Sequence, residues 1–148
     1  MRRKDFPDYL KYWRVIRYFF IAKYKLSQAD LETLLFLYSE KYWGKDKFQE
    51  FNNLLSWDVK RFDRLLRDGW IEVFRKRNAK SKTLYELSYK TNRMINEIYE
   101  KLEGKEIPTS MSQNPMFLKQ VRYTDKVYRN MIKEMTAFTR QQRHGAPE

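Results

Sequence analysis

The chain has 148 residues, with 31 Lys and Arg against 19 Asp and Glu, a net charge of +12 and a sequence pI near 9.8. That length suits one compact domain with a real core, and the basic excess marks a polyanionic partner, either nucleic acid or an anionic membrane surface. Without cysteine, disulfides, thiolate catalysis, zinc-cysteine sites and thiol redox sensing are excluded.

Met1 to Lys4 forms a basic tip. Asp5 or Asp8 can cap a first helix, with Pro7 tolerated in its opening turn. Tyr9, Leu10, Trp13, Ile16, Phe20 and Tyr24 recur at helical steps, and Tyr12, Phe19 and Ile21 widen the apolar band. So broad a band predicts a helix covered on two sides; cover from within one subunit is the plainer reading, and a second subunit the favoured one. Arg14 and Arg17 interrupt the stretch, so it is read neither as a signal peptide nor as a membrane span, for which about 20 apolar residues are needed.

Ser27 opens the next helix, with Asp30 three residues on in an arrangement like a capping box. Its apolar positions are Leu31, Leu34, Leu35, Leu37 and Tyr38, and Tyr42 to Gly44 end it. Lys45 to Leu55 reads as a short helix with Phe48, Phe51, Leu54 and Leu55 inward.

The most informative stretch runs from Leu54 to Ser88. Ser56 is the expected cap of a helix, and Asp58 suits the positive end of its dipole. Val59, Phe62, Leu65 and Leu66 form the expected buried face, leaving Trp57, Lys60, Arg61, Arg64 and Arg67 outside. Gly69 stands where a left-handed residue would stop the helix. Two short strands follow, Trp70 to Phe74 and Thr83 to Leu87, around a turn that carries Arg75, Lys76, Arg77, Lys80 and Lys82 and no acid. A hairpin tip needs only a few polar residues, so this charge density serves something other than turning. A solvated surface helix and a solubilising loop are the plainer readings of these charges. Basic side chains on both a helix and a neighbouring loop fit duplex DNA, where they displace counterions from phosphates.

Ser88 caps a further helix with Met94, Ile95, Ile98, Tyr99 and Leu102 inward and Gly104 at its end. Residues 105–115 read as a linker with two prolines and little apolar pattern. A last helix is expected from Tyr123, or already from Met116, to about Gln142, with a stripe of Val127, Tyr128, Met131, Met135 and Phe138.

The runs LSQADLETLLFLYSE, FNNLLSWDVKRFDRLLRDGWIEVFRKRN and TLYELSYKTNRMINEIYEKL together resemble the MarR type of winged-helix transcription regulator, over about residues 26–103. Leu65, Gly69 and Trp70 fill that family's Leu-x-x-x-Gly-apolar signature, and Leu87 with Ser88 stands for its Leu-Thr. The Asp-Arg pair usual in the wing is missing, with 79–82 in its place, and Thr91 or Asn92 replaces a glycine. The resemblance implies a mainly α fold with a small two-stranded β wing. The chain would be a single domain, with a DNA-binding core over 26–103 and dimerisation helices over 5–25 and 116–142. It further implies a homodimeric, sequence-specific regulator on double-stranded DNA, without enzymatic activity or cofactor. The expected location is the cytoplasm, with the nucleoid, or a host cytoplasm for a viral source.

On this reading Arg61 and Arg64 reach base edges, since a guanidinium pairs twice with guanine. Trp57 and Lys60 touch phosphate, sugar or a thymine methyl, Ser56 is counted with the DNA-binding residues, and Arg75, Lys76, Arg77, Lys80 and Lys82 reach phosphates or the minor groove. The reading requires the basic side of residues 57–67 and the turn near Asn78 to face outward together. An alternative is a winged helix used for protein contact or assembly, in a virus or mobile element, without sequence reading. A third is single-strand or RNA binding, with Trp57, Phe74 or Tyr85 stacking on bases. Tyr18, Tyr38 and Trp43 are candidate lining for an effector cleft, to which no ligand is assigned. His144 is the only histidine, so a Ser-His-Asp triad and a multi-histidine metal site are unavailable, and no phosphate-cradling glycine loop is present. Asp63 with Asp68, and Glu97 with Glu100, are expected to be solvated ion-pair partners rather than acid-base groups.

Overall fold

The computed structural model describes residues 9–55 and 57–145. Its chain is mainly helical with one small antiparallel sheet: α1 Tyr9–Tyr24, α2 Gln28–Leu37, α3 Lys45–Leu55, α4 Arg61–Arg67, β1 Ile71–Arg75, β2 Leu84–Leu87, α5 Tyr89–Leu102 and α6 Tyr123–Gly145. A 3-10 turn spans Pro115–Phe117. Among the described residues no helix is long and apolar enough to cross a membrane. The expected caps at Asp5 and Asp8 lie outside the described residues.

The chain divides into two compact units, Leu26–Asn96 and the pair of segments Met1–Lys25 with Glu97–Glu148. In the first unit Ser27 caps α2, its side-chain oxygen accepting the Asp30 N–H at 3.0 Å. Leu31, Leu34 and Leu37 on α2 and Phe48 on α3 are buried. The expected inward set of α3 is corrected at Leu54, which is 79% exposed, while the polar Asn52 is buried. Asn52 is inside because its amide donates to the Asp58 carbonyl at 2.9 Å and so closes the turn after α3.

After α2, Trp43 lies beside β2 and exchanges two backbone bonds with Tyr85, at 3.1 and 2.8 Å. Its indole is packed with Phe48 and Tyr85, and Phe62 meets both of those rings edge-on. This aromatic cluster is the inner floor of the hairpin. The indole Nε1 of Trp43 is buried with no hydrogen-bond acceptor among the described residues.

Gly69, at φ +79°, ends α4 in the left-handed region that costs an L side chain most. Strands β1 and β2 pair antiparallel from Ile71 with Leu87 to Arg75 with Leu84, and one extra residue, Phe74, bulges from β1. Thr91 then donates to the Trp70 carbonyl at 2.6 Å, and the Ser88 N–H donates to the same oxygen at 3.1 Å. These two bonds fix the start of α5 to the base of the hairpin.

In the second unit Val15, Ile16, Phe19 and Phe20 of α1 and Ile132 of α6 are buried. Tyr18 stacks on Tyr128 at 4.0 Å and donates to Asp125; burial first and then that carboxylate push its phenol up to about 12. Residues 105–115 are not the loose linker that their composition predicts. Ile107 and Asn114 are buried, and the Asn114 amide donates to the Pro108 carbonyl at 2.8 Å while its oxygen accepts the Met116 N–H at 3.0 Å. Met116 therefore belongs to a capped 3-10 turn, and the last helix starts at Tyr123.

Candidate nucleic-acid interface

The segment between α3 and the hairpin differs most from its expected form. The helix begins at Arg61 rather than beside position 56, because Asp58 turns back and accepts the Lys60 N–H at 3.0 Å. Ser56 itself lies outside the described residues. With this later start the buried face is Arg61, Phe62 and Leu65, and Val59 is 61% exposed.

Arg61 is thus inside the fold, at 3% exposure. Its Nε donates to Asp30 Oδ1 at 2.8 Å and its Nη1 to Asn52 Oδ1. Arg64 grips the same carboxylate, Nη2 to Oδ1 at 2.8 Å and Nε to Oδ2 at 3.1 Å, and adds Asp58 Oδ2 at 3.0 Å. Hydrogen bonds from Arg64 hold the Asp58 carboxyl below its ordinary range, and Asp30 and Asp58 in turn raise the Arg64 guanidinium above its own. The assignment of Arg61 to a base edge is therefore corrected: a buried guanidinium facing a buried carboxylate has no reach to an external partner. Arg64 keeps about a third of its side chain exposed, with its donors turned to two aspartates. Asp30 does not complete a capping box, since its carboxylate is taken by the two arginines.

Three expected groups remain outward here. Trp57 is 74% exposed, and Lys60 and Arg67 are exposed, the latter beside Asp68 at 3.2 Å.

The hairpin loop matches its expected character. Arg75, Lys76, Arg77, Lys80 and Lys82 are all exposed. The first four carry no side-chain ion pair among the described residues; Lys82 meets Asp46 at 3.1 Å with both side chains more than four-fifths in solvent. Such an open pair is worth little and yields readily to a stronger anion. The loop is braced by Asn78, whose Oδ1 accepts the Lys80 and Ser81 N–H groups and the Ser81 hydroxyl, each at 2.9 Å. The Arg77 N–H donates to Thr83 Oγ1 at 3.2 Å. Asn78 is the bracing residue that charge patterning overlooks; its local signal is an Asn before a Ser at a hairpin tip, an Asx-type turn. The brace holds four or five cations on a short arc without spending any of them on the fold.

Phe74 and Tyr85, both candidates for stacking on a base, face different surroundings. Tyr85 belongs to the inner aromatic cluster, whereas Phe74 is 45% exposed and stacks on Tyr42 at 3.8 Å. Of the candidate cleft residues, Trp43 is core, and Tyr38 borders a cleft of about 200 Å³ together with Tyr42 and Glu86. Glu97, Glu100 and Asp68 each hold a basic partner, Lys23, Lys105 and Arg67 respectively. Among the described residues no three His, Asp or Glu side chains are placed to hold a metal ion. Compared with known proteins, the chain matches no family, no curated protein and no solved structure.

Proposed function

We propose that the chain is a winged-helix protein of the MarR kind that binds double-stranded DNA as a homodimer and acts as a transcription regulator. The observation that carries this reading is the hairpin loop: five exposed basic side chains on an Asn78-braced turn, with no acid among residues 75–82. Cations fixed in this way, and not consumed by internal pairs, suit a phosphodiester backbone. In such a protein the hairpin is the wing and α4 the helix nearest the major groove. With Arg61 and Arg64 both committed to Asp30, base reading falls to Lys60, Arg67 and Trp57, and phosphate contacts supply most of the affinity.

The experiment is a titration of mixed-sequence duplex DNA by fluorescence anisotropy across salt concentrations. The expected result is a linear fall of log affinity with log salt. Replacing Lys76, Arg77 and Lys80 by Ala should shrink the slope by about 0.9 per phosphate contact removed. A wild-type chain that ignores duplex DNA even at low salt would reject the reading. That outcome favours assembly through protein contacts, for which the exposed Leu54, Trp57 and Val59 are the natural surface.

A further inference from the structure

The outer face of the hairpin carries a feature that duplex binding does not use. Trp43 sits beside β2 as a one-residue third strand with its ring inward, so Tyr42, the preceding residue, falls on the other side. Phe74 reaches that side from the opposite edge of β2, since it follows Val73, the partner of the inward Tyr85, and side chains alternate along a strand. The two rings meet at 3.8 Å and 19°, about half of each remaining in solvent. An exposed aromatic pair spanning a strand keeps its hydration penalty unless something flat covers it.

What surrounds the pair defines the chemistry of that cover. Tyr42 is also a wall of the cleft of about 200 Å³, whose other polar walls are Tyr38, Lys41, Glu86 and Asn92. A carboxyl and an amide are edge-reading groups for a heterocycle with ring nitrogens and exocyclic amines. Glu86 stands opposite Glu72 in the strand register, and burial first, then that neighbour, raises its carboxyl above the ordinary range. Arg75 follows Phe74 directly and opens the exposed basic run, so cations for a phosphodiester lie next to the ring. Planar apolar rings, edge-reading groups and adjoining cations are the three requirements of an unpaired nucleotide.

We infer that the Tyr42–Phe74 stack is a platform for an unpaired nucleobase, so that the chain takes DNA in which single-stranded nucleotides adjoin a duplex. The inference rests on the nucleic-acid reading above and adds to it a preference for unpaired bases. The duplex phosphates meet the loop, and the first unpaired base stacks on the rings with its edge toward Glu86 and Asn92.

The test uses the full chain and two probes: a blunt duplex, and the same duplex extended by a short single-stranded tail containing 2-aminopurine. The wild-type chain should hold the tailed probe roughly tenfold or more tightly than the blunt one, given typical base–aromatic stacking. The 2-aminopurine emission should be quenched on binding. Tyr42→Ala and Phe74→Ala should abolish both the preference and the quenching and leave blunt-duplex affinity unchanged. Phe74→Trp, which keeps a flat ring, should retain both. Equal affinity for the two probes, with blunt duplex bound and the probe base unquenched, overturns the inference and leaves duplex binding standing. Equal loss on both probes by Ala variants whose circular dichroism is native also overturns it, since the rings would then serve the duplex. Failure of the wild-type chain to bind either probe removes the nucleic-acid reading and the inference with it.

Discussion

Arg61 shows how far a single side chain can depart from its sequence pattern. The spacing of Val59, Phe62, Leu65 and Leu66 places Arg61 outside, yet it is buried and Val59 is exposed. Nothing local signals this. The deciding partners, Asp30 and Asn52, lie 31 and 9 residues away, and a helical wheel drawn from one segment cannot include them. A buried pair of this kind contributes little by its presence and costs much when halved, because the survivor is left as an unpaired buried charge. Asp30→Leu should therefore lower stability by about 3–5 kcal/mol in urea unfolding, since it strips the buried Arg61 of its carboxylate, whereas Arg61→Met should cost less, because Arg64 still holds Asp30. Asp58 gives the pH counterpart. Its folded carboxyl titrates below the ordinary 3.8, so it contributes stability above that value and loses the contribution as pH falls through the lowered one. Asp58→Asn should flatten the loss of unfolding free energy below about pH 4, measured by urea unfolding at a series of acidic pH values.

At the level of elements, pattern and stop signals read well where they are local. Helix α2 with its Ser27 cap, the bounds of α3, the glycine after α4 and both strands all stand close to their expected places. The failures occur where a polar residue performs the packing. Asn52 displaces Leu54 from the interior, and Asn114 turns a proline-containing stretch into a buried, capped turn. Side-chain amides satisfying backbone groups leave no hydrophobic period for a sequence reading to detect. Of the candidate interface, the basic loop was legible because its charges are contiguous. The Tyr42–Phe74 stack was not, since it depends on a bridge between residues 43 and 85, far apart in the chain. Gly69 tests the stop signal directly. A methyl group there would meet only the Lys90 side chain, at 3.8 Å or beyond, so its cost is conformational rather than steric. Gly69→Ala should lower stability by about 1–2 kcal/mol, read from the shift in urea midpoint at unchanged slope.

For the whole molecule, the basic excess is not concentrated on the segment that carries the hairpin. Residues 26–96 hold 14 Lys and Arg against 10 Asp and Glu, while the rest of the chain holds 17 against 9. Long-range attraction to a polyanion therefore draws on both units, and the loop governs local contacts rather than total charge. Leu10 and Tyr123, at 85% and 81% exposure, lie within the segments proposed to join two copies. Sedimentation at increasing protein concentration should show a monomer–dimer equilibrium, and Leu10→Glu with Tyr123→Glu should shift it toward monomer; identical monomeric profiles for wild-type and variant would reject the dimer.

The buried indole N–H of Trp43, which meets no acceptor among the described residues, has a spectroscopic consequence. A proton with no acceptor resonates upfield of hydrogen-bonded indole protons, and one shielded from water swaps for deuterium only when the surrounding rings part. A single isotope-labelled tryptophan signal therefore serves as a clock for the opening of the aromatic floor beneath the hairpin, read in seconds or in days without any engineered label.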